Sequence, residues 1–246
     1  MTITCQISCI GQLYDMILSD EKEALLAAKA AGRASVGLTH GNDIWLPCDY
    51  AAEEAEDLTE EDLLRILQRK LALPWKIAET PRLLLRELTA EDRLCLPAEE
   101  DESPAEQALR EEGYFLDYIR HQYAFYEYGL WAVTKKDSGR LIGLAGAFPA
   151  GISPAFPVTA DPGDSFPAEL GYHIFRPWRQ KGYGTEAVRA VLSYMHAHFD
   201  CRLYARIAPD NPASLRLIRA LSFHPLPAGS EESEGLLLFA ENSPQY

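Results

Sequence analysis

The sequence predicts an α/β protein in two parts. Residues 1–78 read as a small βαβ region. Residues 79–246 read as a mixed, mostly antiparallel sheet flanked by helices. Three observations point there. A strand–helix–strand order runs through "MIL", "DEKEALLAAKAAG" and "ASVGL", which calls for a parallel crossover. Two apolar runs around "KDSG" in "LWAVTKKDSGRLIGLAGAF" form a hairpin. The strand-like "AELGYHIF" enters a basic, glycine-containing turn and then an apolar pattern at helical spacing.

The bulk properties narrow the function classes. A chain of 246 residues is long enough for a sizeable core and suggests one or two domains. The net charge of −14 argues against general nucleic-acid binding by a basic surface. Five cysteines, Cys5, Cys9, Cys48, Cys95 and Cys201, are odd in number and scattered. They indicate neither a disulfide framework nor a zinc site, and no metal is expected. No apolar run is long enough to span a bilayer, and the N-terminus lacks a signal-peptide pattern. The expected address is the cytoplasm, away from membranes.

In the first part the helix "DEKEALLAAKAAG" carries acids in its first turn and stops at Gly32. A second helix, "LTEEDLLRILQRKLAL", has Thr59 as its N-cap and Pro74 just past its end. The segment "LSDEKEALLAAKAAGRASVGLTHG" resembles the final βαβ of haloacid-dehalogenase-type phosphatases, with Asp20 where that family keeps a late magnesium-binding acid. That family's nucleophilic Asp-x-Asp, its Ser/Thr and its Lys lie upstream of this unit. The nineteen residues before Asp20 contain no Asp-x-Asp. The first part is therefore expected to be catalytically silent, serving docking or self-association as in a homodimer.

In the second part "TPRLLLREL" alternates into a strand and "TAEDRLCL" begins a helix or turn. Residues 98–128 are acidic at first and then aromatic-rich, and read as helical. The hairpin follows. Residues 149–167 carry five prolines and read as a loop. In "AELGYHIF" the two-residue period puts Glu169, Gly171, His173 and Phe175 on one face. Val188, Val191, Leu192, Met195 and Phe199 then recur at helical spacing, so a helix starts near Gly182.

The stretch between them, "RPWRQKGYGTEA", is thus a strand-to-helix turn. Backbone N–H groups at a helix N-terminus lack internal partners, and the dipole there favours an anion. Glycine admits a bulky phosphate close to the main chain. Arg179 and Lys181 add charge, so the segment is suited to a diphosphate. Bare turn closure is the bland reading. The sharper rival is a dinucleotide fold, since "GYGTEA" fits G-x-G-x-x-A and Asp210 ends the next strand. That fingerprint wants its first glycine at the strand end, and here "RPWRQK" intervenes.

Arg179-Gln180-Lys181-Gly182-Tyr183-Gly184 resembles the Q/R-x-x-G-x-G/A signature of the GCN5-related N-acetyltransferase (GNAT) family. "TPRLLLRELTAED", the hairpin and "APDNPASLRLIRALSF" resemble that family's other motifs in order. The opening and the Asn-Pro-x-Ser pattern are similar to the subgroup that acetylates N-termini of ribosomal proteins. The resemblance implies the GNAT fold, with two parallel central strands, "AELGYHIF" and "RLYARI", splayed to admit the pantetheine of acetyl-CoA. It assigns cofactor contacts to His173, Ile174 and Phe175 on the strand. It assigns others to Arg179, Gln180, Lys181, Gly182, Tyr183, Gly184 and Thr185 in the loop, and to Asn211 and Ser214. A backbone N–H near His173 or Phe175 would polarise the thioester carbonyl.

Glu169 falls where several family members keep a general base, and Ser214 matches a Ser near the CoA sulfur. The base matters in proportion to the amine's pKa. A lysine is only about 0.1% neutral near neutral pH, a handicap of roughly 4 kcal/mol, whereas an α-amine is about a quarter neutral. The bland readings are a salt-bridged strand residue for Glu169, a structural histidine for His173 and plain capping for Asn211. The family's usual helix tyrosine is Ile218 here, and Ser222 replaces a usual glycine. Residues 99–112 hold seven acids, ahead of a row of Tyr and Phe. The bland reading is a solvated segment over core aromatics; the functional one is a funnel for a cationic primary amine. The expected function is direct acetyl transfer from acetyl-CoA to such an amine. The alternatives are a dinucleotide enzyme and a non-catalytic CoA- or partner-binding module.

Overall fold

Ile3, Cys5, Ile7 and Cys9 alternate with more exposed residues along strand β1 (Thr2–Cys9). It pairs antiparallel with β2 (Gln12–Ser19). Ile10 and Gly11 close the turn at φ 49 and 73, the two positive values a type I′ hairpin requires. This hairpin adds a strand to the βαβ unit read from the sequence. Helix α1 (Lys22–Ala30) returns the chain to β3 (Ala34–Leu38), which pairs parallel with β2. A short β4 (Tyr50–Ala52) extends the sheet to the order β1-β2-β3-β4. Helix α2 (Glu60–Lys70) starts at Thr59 in a reciprocal box: Thr59 Oγ1 accepts from the Asp62 N–H, and Asp62 accepts from the Thr59 N–H. Its Ile66 and Leu67 join Met16, Leu18, Val36 and Leu38 in one core.

The structure, a computed structural model, describes residues 1–101, 103–150, 166–226 and 235–242. It divides into two units, Met1–Trp75 and Lys76–Tyr246. Strand β5 (Lys76–Glu79) pairs with β6 (Leu83–Arg86), so the second sheet begins a few residues before residue 79. A 3₁₀ turn (Ala90–Cys95), α3 (Pro104–Ala108) and α4 (Glu112–Tyr126) follow. The hairpin is β7 (Leu130–Lys135) with β8 (Leu141–Pro149). The loop expected over 149–167 is narrower at both ends, because Pro149 ends β8 and Phe166 begins the next strand; its middle lies outside the described residues.

Strand β9 (Phe166–Ile174), α5 (Tyr183–His198) and β10 (Cys201–Ile207) form a second parallel crossover. Helix α5 buries Val188, Val191, Leu192 and Met195, the stripe its spacing predicts. The chain ends with α6 (Pro212–Ala220), β11 (Phe223–Pro225) and β12 (Leu237–Glu241). The sheet order is β11-β12-β10-β9-β8-β7-β6-β5, and β9–β10 is the parallel pair in an otherwise antiparallel ladder. A dinucleotide fold needs repeated parallel βαβ units, which this sheet does not provide. No helix among the described residues is long and apolar enough to cross a membrane.

Candidate active site

The parallel ladder opens partway along. β9 and β10 pair from Phe166↔Cys201 to Glu169↔Tyr204 and no further. Beyond that point β9 keeps β8 on its other side as far as Ile174, while Ala205–Ile207 of β10 keep β12. Backbone groups of a strand alternate between its two neighbours. Phe175 donates its N–H to Ile142 O (2.9 Å) and Pro167 O accepts from Ala150 N–H, so odd residues face β8; Phe166 donates to Asp200 O, so even residues face β10. The opening is therefore edged by the backbone of Tyr172 and Ile174. This corrects the expectation for two residues. The Phe175 N–H is spent on Ile142, and the main chain of His173 faces β8.

The gap leads to the turn. After a 3₁₀ turn (Arg176–Trp178), Gln180 and Gly182 both take left-handed conformations, φ 59 and 80. Gly182 is the N-cap of α5 and offers no side-chain cap. The first helical bond is Glu186 N–H to Gly182 O (3.1 Å). The N–H groups of Tyr183, Gly184 and Thr185 thus precede the helix's own ladder, at the positive end of its dipole. A Cβ on Gly184 would meet Leu217, Ile174 and Tyr172 at ordinary contact distances of 3.4–3.9 Å.

The turn's cations do not crowd around that nest. Arg179 donates Nε to Ile174 O (2.6 Å), Nη1 to Asp101 (2.6 Å) and Nη2 to Glu99 (2.6 Å). Its guanidinium holds the Asp101 carboxyl below its usual range. Arg176 pairs with Glu100 and Asp101, and its N–H donates to Glu99 (2.8 Å). Lys181 donates to Pro177 O (2.7 Å) and lies over the Trp178 ring. The expectation that Arg179 and Lys181 add free charge to the loop is thereby corrected: acids from the segment before α3 and the loop's own carbonyls hold them. Ligand atoms of Glu99, Asp101 and His173 lie within 4.8 Å of one another, a spacing a metal could use. Here Arg179 Nη2 lies among them, 2.6, 3.3 and 2.9 Å away.

A different cation reaches the nest, and the sequence reading missed it. Arg82 donates Nη1 to Lys181 O (2.9 Å) and stacks on Tyr183 (4.5 Å). Its Nη2 lies 3.3 Å from where a Gly182 Cβ would stand. Glu186 accepts from the Arg82 Nε and N–H and from Thr80 Oγ1 (2.6, 3.0 and 2.6 Å). These contacts offset the charge of the carboxylate that Glu186 places in the first turn of α5. The only signal for Arg82 was its position at the entry of a predicted strand.

The outward face of β9 carries Glu169 and His173. Both oxygens of Glu169 accept from Arg206 (2.9 and 2.8 Å) on β10, across the mouth of the gap. His173 has no nitrogen to spare. Nδ1 lies 3.1 Å from Glu106, and Nε2 lies 2.9 Å from both Glu99 and Arg179. Burial opposes its charged form, but the Glu106 and Glu99 carboxylates outweigh it and hold the His173 pKa above the usual value. His173 is thus an anchor held between Glu106 on one nitrogen and Glu99 and Arg179 on the other. A cleft beside it is walled by Leu96, Pro97, Leu144 and Phe175.

On the opposite face, Asn211 caps α6 by accepting from the Ser214 N–H (3.0 Å), with Pro212 at the first helical position. Ser214 is half-buried, Ile218 fully buried. Asp20 and Asp210 stand apart from this arrangement. Asp20 pairs with the N-terminal amine and, at 3.4 Å, with His40, and Asp210 lies in the exposed turn before α6. Burial pushes the Cys201 thiol up to about 12.

Residues 82–224, more than half of the chain, match the model of the acetyltransferase (GNAT) domain. Among curated relatives, the uncharacterized N-acetyltransferase p20 of Bacillus licheniformis is 34% identical over 71 residues, 28% of this chain and 35% of the relative. The match thus spans about a third of that relative's length. Two solved structures share the fold. A protein of Bordetella pertussis described as a GnaT-family acetyltransferase aligns with TM-score 0.53 at 22% identity, over 67% of this chain and 98% of its own. The ribosomal-protein-S5-alanine acetyltransferase of Vibrio fischeri aligns with TM-score 0.51 at 17% identity, over 68% and 97%.

Proposed function

Since the chain belongs to the GNAT acetyltransferase family, we propose that it is an acetyl-CoA-dependent N-acetyltransferase acting on primary amines. The observation that carries this reading is the opened β9–β10 ladder running into the uncapped N-terminus of α5. An extended pantetheine arm is an amide chain, and it can pair with the gap-facing backbone of Tyr172 and with the Ile174 N–H; the Ile174 carbonyl already accepts from Arg179. The nest of Tyr183, Gly184 and Thr185 N–H groups then receives the diphosphate, with Arg82 beside it.

The amine attacks the thioester directly in a ternary complex. A gap-facing N–H of Tyr172 or Ile174 polarises the carbonyl as charge develops on its oxygen. Ser214 lies at the sulfur end and Asn211 holds the turn that presents it. Glu169 is the candidate base, working from its bridge to Arg206; for an α-amine a water suffices. The cleft beside His173 admits the acceptor. The net charge of −14 favours a cationic amine such as a basic peptide N-terminus, a polyamine or an amino-sugar. The acids nearest the loop are already paired, so the steering comes from the wider surface. The first unit takes no part in the chemistry and serves docking or self-association, as in a homodimer.

Isothermal titration tests the cosubstrate: CoA binds and NADH does not. A panel of peptides, polyamines, aminoglycosides and amino acids, assayed for acetyl-CoA consumption at two salt concentrations, tests the acceptor. A cationic primary amine with a KM that rises with salt is expected. NADH binding without CoA binding overturns the assignment, and an anionic preferred acceptor overturns the steering alone.

A further inference from the structure

Tyr172 lies next to His173 on β9 but points to the other face, toward α5 and α6. A Cβ built on Gly184 would stand 3.9 Å from its ring and 3.4 Å from Leu217. The ring is thus enclosed between the first turn of α5 and the face of α6. Its hydroxyl oxygen is buried and has no hydrogen-bond partner among the described residues. A buried hydroxyl left unpaired is costly, and native structures hold few of them. Among the described residues, Gln68, Trp131, Arg202 and His224 also have a buried polar atom left unpaired, and none of these stands on the opened stretch of β9. Ser214 is close enough to temper the upward push that burial gives the Tyr172 pKa. The two hydroxyls do not reach hydrogen-bond geometry with each other.

We propose that the Tyr172 hydroxyl, together with Ser214, donates a hydrogen bond to the sulfur of CoA and stabilises it as a leaving thiolate. This rests on the acetyltransferase reading above and adds a catalytic residue to it. The placement follows from the fold. An arm anchored at the α5 N-terminus and running into the gap passes Ile174 and then Tyr172. The backbone of Tyr172 faces the gap, and its side chain reaches the space beside Ser214. Ile218 on α6 is buried and carries no donor. In the step itself the amine nitrogen bonds to the carbonyl carbon, and the C–S bond breaks with its electron pair on sulfur. The proton lost by nitrogen ends on that sulfur. Tyr172 remains protonated throughout, which burial favours. It acts as a fixed donor to developing charge.

The test compares wild type, Tyr172→Phe and Ser214→Ala. The ring is kept in Tyr172→Phe, and removing an unpaired hydroxyl should leave thermal stability unchanged or raised. Bound CoA is titrated by the ultraviolet absorbance of its thiolate. The wild type should lower the thiol pKa below that of free CoA, and Tyr172→Phe should return it by about one unit, a tenfold change in the thiolate equilibrium. Affinity for desulfo-CoA should be the same in both proteins, and kcat should fall about tenfold in Tyr172→Phe with KM for acetyl-CoA unchanged. An identical thiol pKa in wild type and Tyr172→Phe overturns the role of Tyr172 while CoA binding stands. Failure of the wild type to bind CoA at all removes the acetyltransferase reading and this inference with it.

Discussion

Gly182 combines φ 80 with a place at the cap of α5, so two substitutions there separate backbone strain from charge. In Gly182→Ala the new Cβ lies 3.3 Å from Arg82 Nη2, the far end of a side chain that can shift. The remaining cost is the left-handed backbone, about 1 kcal/mol. CoA affinity should therefore fall by less than about tenfold. Gly182→Asp adds a carboxylate where the diphosphate is expected. Two unit charges about 4 Å apart repel by about 4 kcal/mol at the effective dielectric of a protein surface, roughly a thousandfold in affinity. The same carboxylate suits the positive end of the helix, and Asp tolerates left-handed backbone better than most residues, so the fold should survive. Isothermal titration with CoA, paired with thermal melting, reads both effects. If Gly182→Asp binds CoA within about tenfold of wild type, or if Ala and Asp lose affinity equally, the anion site is not at this cap.

The His173 pKa is raised in the fold above its ordinary 6.5. Its contribution to stability is thus fully present below pH 6.5 and fades as pH rises through the higher folded value. The melting-temperature advantage of wild type over His173→Gln should shrink on going from acid to mildly alkaline buffer, and an advantage that grows contradicts the Glu99–His173–Glu106 arrangement. Glu169→Gln should lower kcat/KM most at low pH, where neutral amine is scarce; a pH profile of unchanged shape leaves Arg206 as the only role for Glu169. Cys201→Ala should leave turnover nearly intact, because a buried thiol pushed up to about 12 is not a nucleophile, and a collapse of activity in a folded variant would reopen an acyl-cysteine route.

What could be read from sequence was what local patterning fixes. The stripe on α5, the alternation along β9 and the hairpin of β7 and β8 each lie within one or two segments. The parallel pairing of β9 with β10 followed once a helix was placed between them. Strand β1 was missed even though Ile3, Cys5, Ile7 and Cys9 alternate, because its turn is Ile10-Gly11 and not one of the dipeptides that announce a hairpin. At the site, the glycine turn was legible from the types and spacing of its residues. The fate of Arg179 was not, since its partners Glu99 and Asp101 stand 80 and 78 residues away. A longer separation, 104 residues, hides Arg82 from Glu186, and nothing in "AELGYHIF" distinguishes Tyr172 as the residue whose hydroxyl goes unpaired.

The bond from Arg179 to Glu99 and Asp101 has a consequence for the order of events. An anion that draws Arg179 toward the α5 cap must first part it from those two carboxylates. Glu99 then keeps His173 and the Arg176 N–H, and Asp101 keeps Arg176, each with one cationic partner fewer, beside the cleft at His173. A cation that satisfies them stabilises the displaced arginine, and by linkage the preference is mutual: each ligand raises the affinity of the other by the same factor. A single guanidinium would thus make the occupancy of two sites cooperative without any movement of the sheet that carries them.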